Sequence, residues 1–148
     1  MANPRGNESV QRMVPISPRP GLPGLVVRDP YASRLLSGEK VWEIRGRNTN
    51  VRGPVVILKS GTGHAFGTVD LVRVLGPLEA SDLVNAPELP QAERREIERE
   101  GLPYAKTYAY VFTDPRRFSE PVRYTHPHGA VTWVRLPDFD LDSIPVEV

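Results

Sequence analysis

The chain is expected to fold as an α+β domain, a small mixed β-barrel with two short helices. Three observations predict this. Short β-type segments dominate the sequence, two helical segments interrupt them early and in the middle, and the β segments outnumber what a parallel βαβ arrangement would supply. Closure into a barrel is the expected way to remove exposed strand edges.

The elements follow in order. Residues 1–22, with Pro4, Pro15, Pro18 and Pro20 among polar neighbours, read as a disordered proline-rich leader, and the domain is expected from 23 to 136. Leu25, Val26 and Val27 form a short buried-type strand. Asp29 then offers a helix N-cap, with Pro30 at the first helical position. The helix from Pro30 to Ser37 stacks Tyr31 on Leu35 and Ala32 on Leu36, and Gly38 supplies a left-handed C-terminal cap. Val41 to Arg45 alternates, so Trp42 and Ile44 face one way and Glu43 and Arg45 the other. Pro54 to Lys59 and Phe66 to Leu75 are two further strands around the turn Ser60, Gly61, Thr62, Gly63. A polar stretch with Pro77, Pro87 and Pro90 leads to a helix over Gln91 to Glu100. Its single large aliphatic residue, Ile97, predicts a surface position. Thr107 to Thr113 and Val131 to Leu136 complete the strands, and residues 137–148 read as an acidic tail.

Composition narrows the function. With no cysteine, the 148-residue chain has no thiol nucleophile, iron–sulfur cluster or cysteine-ligated zinc, and a domain of this length needs no disulfide to stay folded. Neither a secretory signal nor a membrane span is present, which predicts a cytoplasmic protein without a membrane partner. Residues 28–73 carry eight basic and four acidic side chains, whereas residues 74–100 carry three and seven. The basic residues are mostly arginine, which suits bidentate contact with phosphate; a genome rich in arginine codons would give the same bias.

Gly38, Lys40, Glu43 and Arg45 make the pattern G-x-K-x-x-E-x-R. Around them stand Asp29-Pro30-Tyr31-Ala32, Arg52-Gly53, Gly67-Thr68-Val69, and finally Pro121, Gly129 and Trp133. In this order they resemble the ASCH family of the PUA-like superfamily, from Leu25 to about Leu136. The resemblance implies a PUA-like barrel with a cleft beside the first helix, lined by the signature lysine, glutamate and arginine. It implies RNA binding or reading of a modified nucleobase, with ribonucleases and an acetylcytidine amidohydrolase branch among the relatives. In that branch a threonine nucleophile stands where this chain has Glu43, which weakens hydrolysis here without excluding it.

The chemistry of these residues fits either use. Lys40 can meet a phosphate or carbonyl oxygen, or act as a base if burial lowers its pKa; otherwise it is a solvated turn lysine. Glu43 accepts from base amino groups while Arg45 donates to carbonyl or phosphate oxygens. As a mere surface pair the two would contribute only about 0–1 kcal/mol. Tyr31 can stack a base, and Arg47 and Arg52 can position a phosphate backbone. Trp42 and Trp133 are expected in the core. Ser60 and Thr62 are read as turn residues, and His64 as structural or solvated. His126 and His128, with no cysteine or carboxylate partner nearby in sequence, are expected to form a polar loop beside the cleft without a metal.

The expected function is therefore binding of RNA or a modified nucleobase through an electropositive cleft lined by Tyr31, Lys40, Glu43, Arg45, Arg47 and Arg52, with no cofactor. The alternative is a small hydrolase of a modified nucleoside or of RNA, with Lys40 and Glu43 as the catalytic pair. A third reading, a protein-interaction adaptor, rests only on the charged helix at Gln91 to Glu100.

Overall fold

The computed structural model describes residues 21–137 and 139–148. The leader expected over residues 1–22 falls, except for its last two residues, outside the described residues. The elements are β1 (Leu22–Val27), α1 (Tyr31–Ser37), β2 (Trp42–Arg45), β3 (Gly53–Lys59), β4 (His64–Leu75), α2 (Ala80–Val84), α3 (Gln91–Glu100), β5 (Tyr108–Arg123) and β6 (Trp133–Leu136). Among the described residues no helix is long and apolar enough to cross a membrane.

All six strands join one sheet in the order β2-β5-β4-β3-β1-β6. The β1–β3 pair is parallel and the other pairs are antiparallel. This corrects the expected barrel, because the outer strands β2 and β6 do not pair and the sheet stays open. The barrel was inferred from the need to dispose of edges. Here the edges are blunted by brevity, since β2 and β6 are only four residues each. A second correction concerns helix number. The described residues hold three short α-helices, because Ala80–Val84 forms α2 within the proline-flanked stretch read as polar loop.

Both faces of the sheet are covered. Along β3, Val55 and Ile57 join the cluster under α1, with Leu25, Leu35, Leu36, Tyr110 and Phe112, while Val56 and Leu58 enter a second cluster with Phe118, Val134 and Leu136. The unbroken apolar run of β3 is the signature of a strand buried on both sides. The end of the chain shields the second cluster. Phe139, Leu141 and Ile144 pack on it, Val146 bridges Phe118, and the Glu147 N–H donates to the Arg117 carbonyl at 2.8 Å.

The strand expected to stop at Thr113 continues to Arg123 despite Pro115 and Pro121. Pairing with β4 jumps from Asp70–Thr113 to Thr68–Arg116, and again from Gly67–Arg117 to Ala65–Val122. Both prolines sit in these bulges, so their missing N–H groups cost no ladder bond. Asp114 takes a left-handed φ of 51° at the first bulge.

At α1 the expected C-cap is met and the expected N-cap is corrected: the helix starts at Tyr31 with Pro30 as its cap residue, and Asp29 stands one position earlier. Gly38 has φ 84° and its N–H returns to the Leu35 carbonyl. The Asp29 carboxylate accepts from the Ser33 N–H at 3.0 Å and pairs with Lys59 at 3.0 Å. Burial pushes the Asp29 carboxyl up, but the hydrogen bonds from Lys59 and Ser33 outweigh it and leave it below its ordinary 3.8.

Candidate nucleobase-binding cleft

A hollow of about 570 Å³ opens between the end of β1, the start of α1, β2, and α3 with the loop that follows it. Tyr31, Lys40, Glu43 and Arg45 all line it, so four of the six residues expected at the site come together. Their positions follow from local structure. The αL turn at Gly38 returns the chain so that the Lys40 N–H bonds the Arg34 carbonyl, which seats Lys40 beside α1. Alternation along β2 then aims Glu43 and Arg45 the same way, while Trp42 and Ile44 pack with Leu83, Leu89 and Ile97 of the helical layer.

Lys40 is no solvated turn lysine: it is 2% exposed. Its ammonium donates to Glu93 Oε1 and lies 3.7 Å from Glu43 Oε1. It also stands 5.5 Å from the centre of the Tyr31 ring, a cation–π distance. Arg45 Nε donates to Glu43 Oε2 at 2.8 Å, and a second guanidinium nitrogen donates to the Val26 carbonyl at 2.8 Å. Arg34 reaches the other oxygen of Glu93 at 3.2 Å. The result is a continuous chain, Arg34–Glu93–Lys40–Glu43–Arg45, in which every charge has a partner. Burial raises the Tyr31 phenol above its ordinary 10.0, reinforced by Glu96 and Glu93, so the hydroxyl is neutral at neutral pH.

Glu93 is the residue that sequence reasoning missed. It was assigned to a surface helix, yet it is 6% exposed and holds the cleft lysine. The available signal was its place four residues before Ile97, since both lie on the one buried face of α3. Tyr104, Arg28 and Ser60 also line the cavity without having been expected there.

The expected electropositive character is corrected as well. Among the described residues Arg28, Lys40 and Arg45 face four carboxylates, Glu43, Glu93, Glu96 and Glu100, so that lining is close to charge-balanced. The acidic wall comes mainly from α3, which was expected only to lie at the surface. Arg47 and Arg52 do not line the hollow. The Arg47 carbonyl accepts from the Tyr110 hydroxyl at 2.7 Å, and the Arg52 guanidinium donates to the Thr49 and Val51 carbonyls of its own loop. Trp133 stacks on Tyr110 at 6.2 Å between ring centres, half-buried and packed on the core. His126 and His128 stand on the exposed segment after β5, and no cluster of three or more metal-ligating side chains occurs among the described residues.

Comparison with known proteins bears on the whole of this architecture. A family model for the ASCH domain matches residues 25–121, ending before Gly129 and Trp133. The crystal structure of ASCH from Zymomonas mobilis superimposes with a TM-score of 0.58 at 17% identity, covering 78% of this chain and 88% of that one. A serine-to-alanine variant of the same protein gives 0.58 at 18% identity, with 82% and 93% covered. At these identities the likeness shows the fold alone. No curated protein sequence matches the chain. Because the family model spans well over half of the sequence and the same fold recurs, the chain belongs to the ASCH domain family.

Proposed function

We propose that the cleft binds an unstacked or modified base of RNA. The observation that carries this reading is the paired-charge floor in a hollow of about 570 Å³, within the usual size range of small-molecule sites. A charge-balanced lining gives little attraction to a polyanion. It suits a neutral ring that presents donors and acceptors together, with Glu43 accepting and Arg45 donating. Tyr31 and Tyr104 add aromatic surface for stacking.

The rival reading, hydrolysis with Lys40 and Glu43 as acid–base pair, fits this geometry less well. Each Glu43 oxygen has one cation beside it, Arg45 or Lys40, and a lone pair left to accept from a base amino group, whereas hydrolysis would further need a water placed against Glu43 and a carbonyl against Lys40, whose ammonium is already held by Glu93.

Calorimetric titration with nucleosides and short RNAs tests the proposal, using the wild type and Glu43→Gln. Glutamine keeps the size of the side chain and replaces one acceptor by a donor. Preference among bases is expected to change roughly tenfold, the weight of one good polar base contact. Unchanged selectivity would remove Glu43 from recognition. Chromatographic detection of a cleaved product, lost in Glu43→Gln, would replace binding by hydrolysis.

Salt dependence separates the cleft from the rim. Nucleoside affinity is expected to be nearly independent of salt, whereas RNA affinity should fall with a log–log slope of about 0.7 per phosphate contacted. Changing Arg47 and Arg52 together to alanine is expected to flatten the RNA slope by roughly 1.4 and leave nucleoside affinity alone. An unaltered slope would exclude these arginines as the phosphate track.

A further inference from the structure

The main cavity does not end at its rim. Val26, Ser60 and Val131 line it and also line a second, open groove of about 470 Å³, whose far wall is formed by Tyr124, His126 and Ala130. Val131, at the junction of the two hollows, keeps an apolar side chain 80% exposed.

The far wall is held by its own hydrogen bonds. The Ala130 carbonyl, 2.6 Å from His126 Nε2, can only accept, so Nε2 carries a proton and donates. In the neutral ring Nδ1 is then an acceptor, and the Tyr124 hydroxyl donates to it at 2.7 Å. The two rings meet edge to face with centres 5.7 Å apart. The Tyr124 N–H is tied to the Gly63 carbonyl at 3.1 Å, which fixes this wall to the glycine turn beyond Ser60. Burial raises the Tyr124 phenol above its ordinary range, so it offers a neutral hydroxyl and not a phenolate nucleophile. Among the described residues no lysine or arginine lines the groove, whereas Arg28 and Arg45 line the adjoining cavity.

We propose that this groove is a second subsite of the same cleft, holding the nucleotide next to the one whose base enters the main cavity. The recognised unit is then at least a dinucleotide of single-stranded RNA. The inference rests on the base-binding reading above. An uncharged, partly aromatic wall takes the base and ribose of the neighbour, leaving its phosphate toward the arginine-bearing side. A histidine with both ring nitrogens already bonded to the chain serves here as a fixed surface and not as a proton shuttle.

The test is equilibrium binding of a nucleoside and the matching dinucleotide to the wild type, Tyr124→Ala and His126→Ala, at high salt to suppress the electrostatic contribution of the added phosphate. The dinucleotide is expected to bind the wild type about tenfold more tightly than the nucleoside. Both variants should lose that gain while keeping nucleoside affinity. Because the ratio is taken within each protein, a folding defect that weakens both ligands cancels. Equal binding of nucleoside and dinucleotide by the wild type, or a gain that survives in both variants, would overturn the second subsite and leave base recognition standing. Failure of the wild type to bind either ligand would overturn both readings.

Discussion

Replacing Lys40 by methionine is expected to destabilise the domain by about 3–5 kcal/mol, because it leaves Glu43 and Glu93 facing each other in a water-poor site without the cation between them. Each carboxylate is less than a tenth exposed, so solvent cannot take over the role of the ammonium. Arg45 still holds Glu43 and Arg34 still holds Glu93, which keeps the cost within that range. For a domain of this size the melting temperature should fall by roughly 10 °C. A second change supplies the control. Glu93→Gln in the Lys40→Met background removes one of the two opposed charges and should recover a large part of the loss. A melting temperature unaffected by Lys40→Met would mean that the lysine is solvated and that the charge chain across the cleft does not form.

Gly67→Ala should be nearly as costly, about 3 kcal/mol at the upper end of the overpacking range. A β-carbon there would stand 2.3 Å from the Arg116 carbonyl oxygen, 2.7 Å from Leu36 Cδ2 and 3.0 Å from the Arg117 Cα. The leucine can turn away, but the other two atoms are backbone of the paired strand. Moving them means shifting β5 against β4 at the register jump between Asp70–Thr113 and Thr68–Arg116. Denaturant unfolding should show a lower midpoint with an unchanged slope. An alanine variant as stable as the wild type would contradict the close approach of the two strands.

What could be read from the sequence was what local rules control. Gly38 announced a left-handed cap, and the alternation along β2 put Glu43 and Arg45 at the cleft and Trp42 in the packing layer, with Ile44 reaching both. Proline misled the reading of β5, because the register jumps that shelter Pro115 and Pro121 depend on β4, some fifty residues away in sequence. Barrel closure misled for a related reason, since pairing between the first and last edges of a sheet is decided by strand lengths and twist across the whole molecule. Glu93 was hard to read because a glutamate among charged neighbours carries no apolar periodicity of its own, and its spacing from Ile97 was the one signal. Its burial arises only when α3 docks and meets Lys40, from 53 positions earlier in the chain. The same docking supplies the acidic wall that turns an expected basic cleft into a balanced one.

Residue-resolved NMR mapping with a short single-stranded RNA tests the central claim most directly. Amide shifts are expected to concentrate on the cleft, at Tyr31, Glu43, Ile44, Arg45, Ile97 and Tyr104, and to weaken sharply when the same RNA is supplied as a duplex, whose bases remain stacked. Shifts confined to Arg47, Arg52, Arg116 and Arg117, with the cleft silent and duplex equal to single strand, would show binding by surface charge alone and contradict a base-reading cleft.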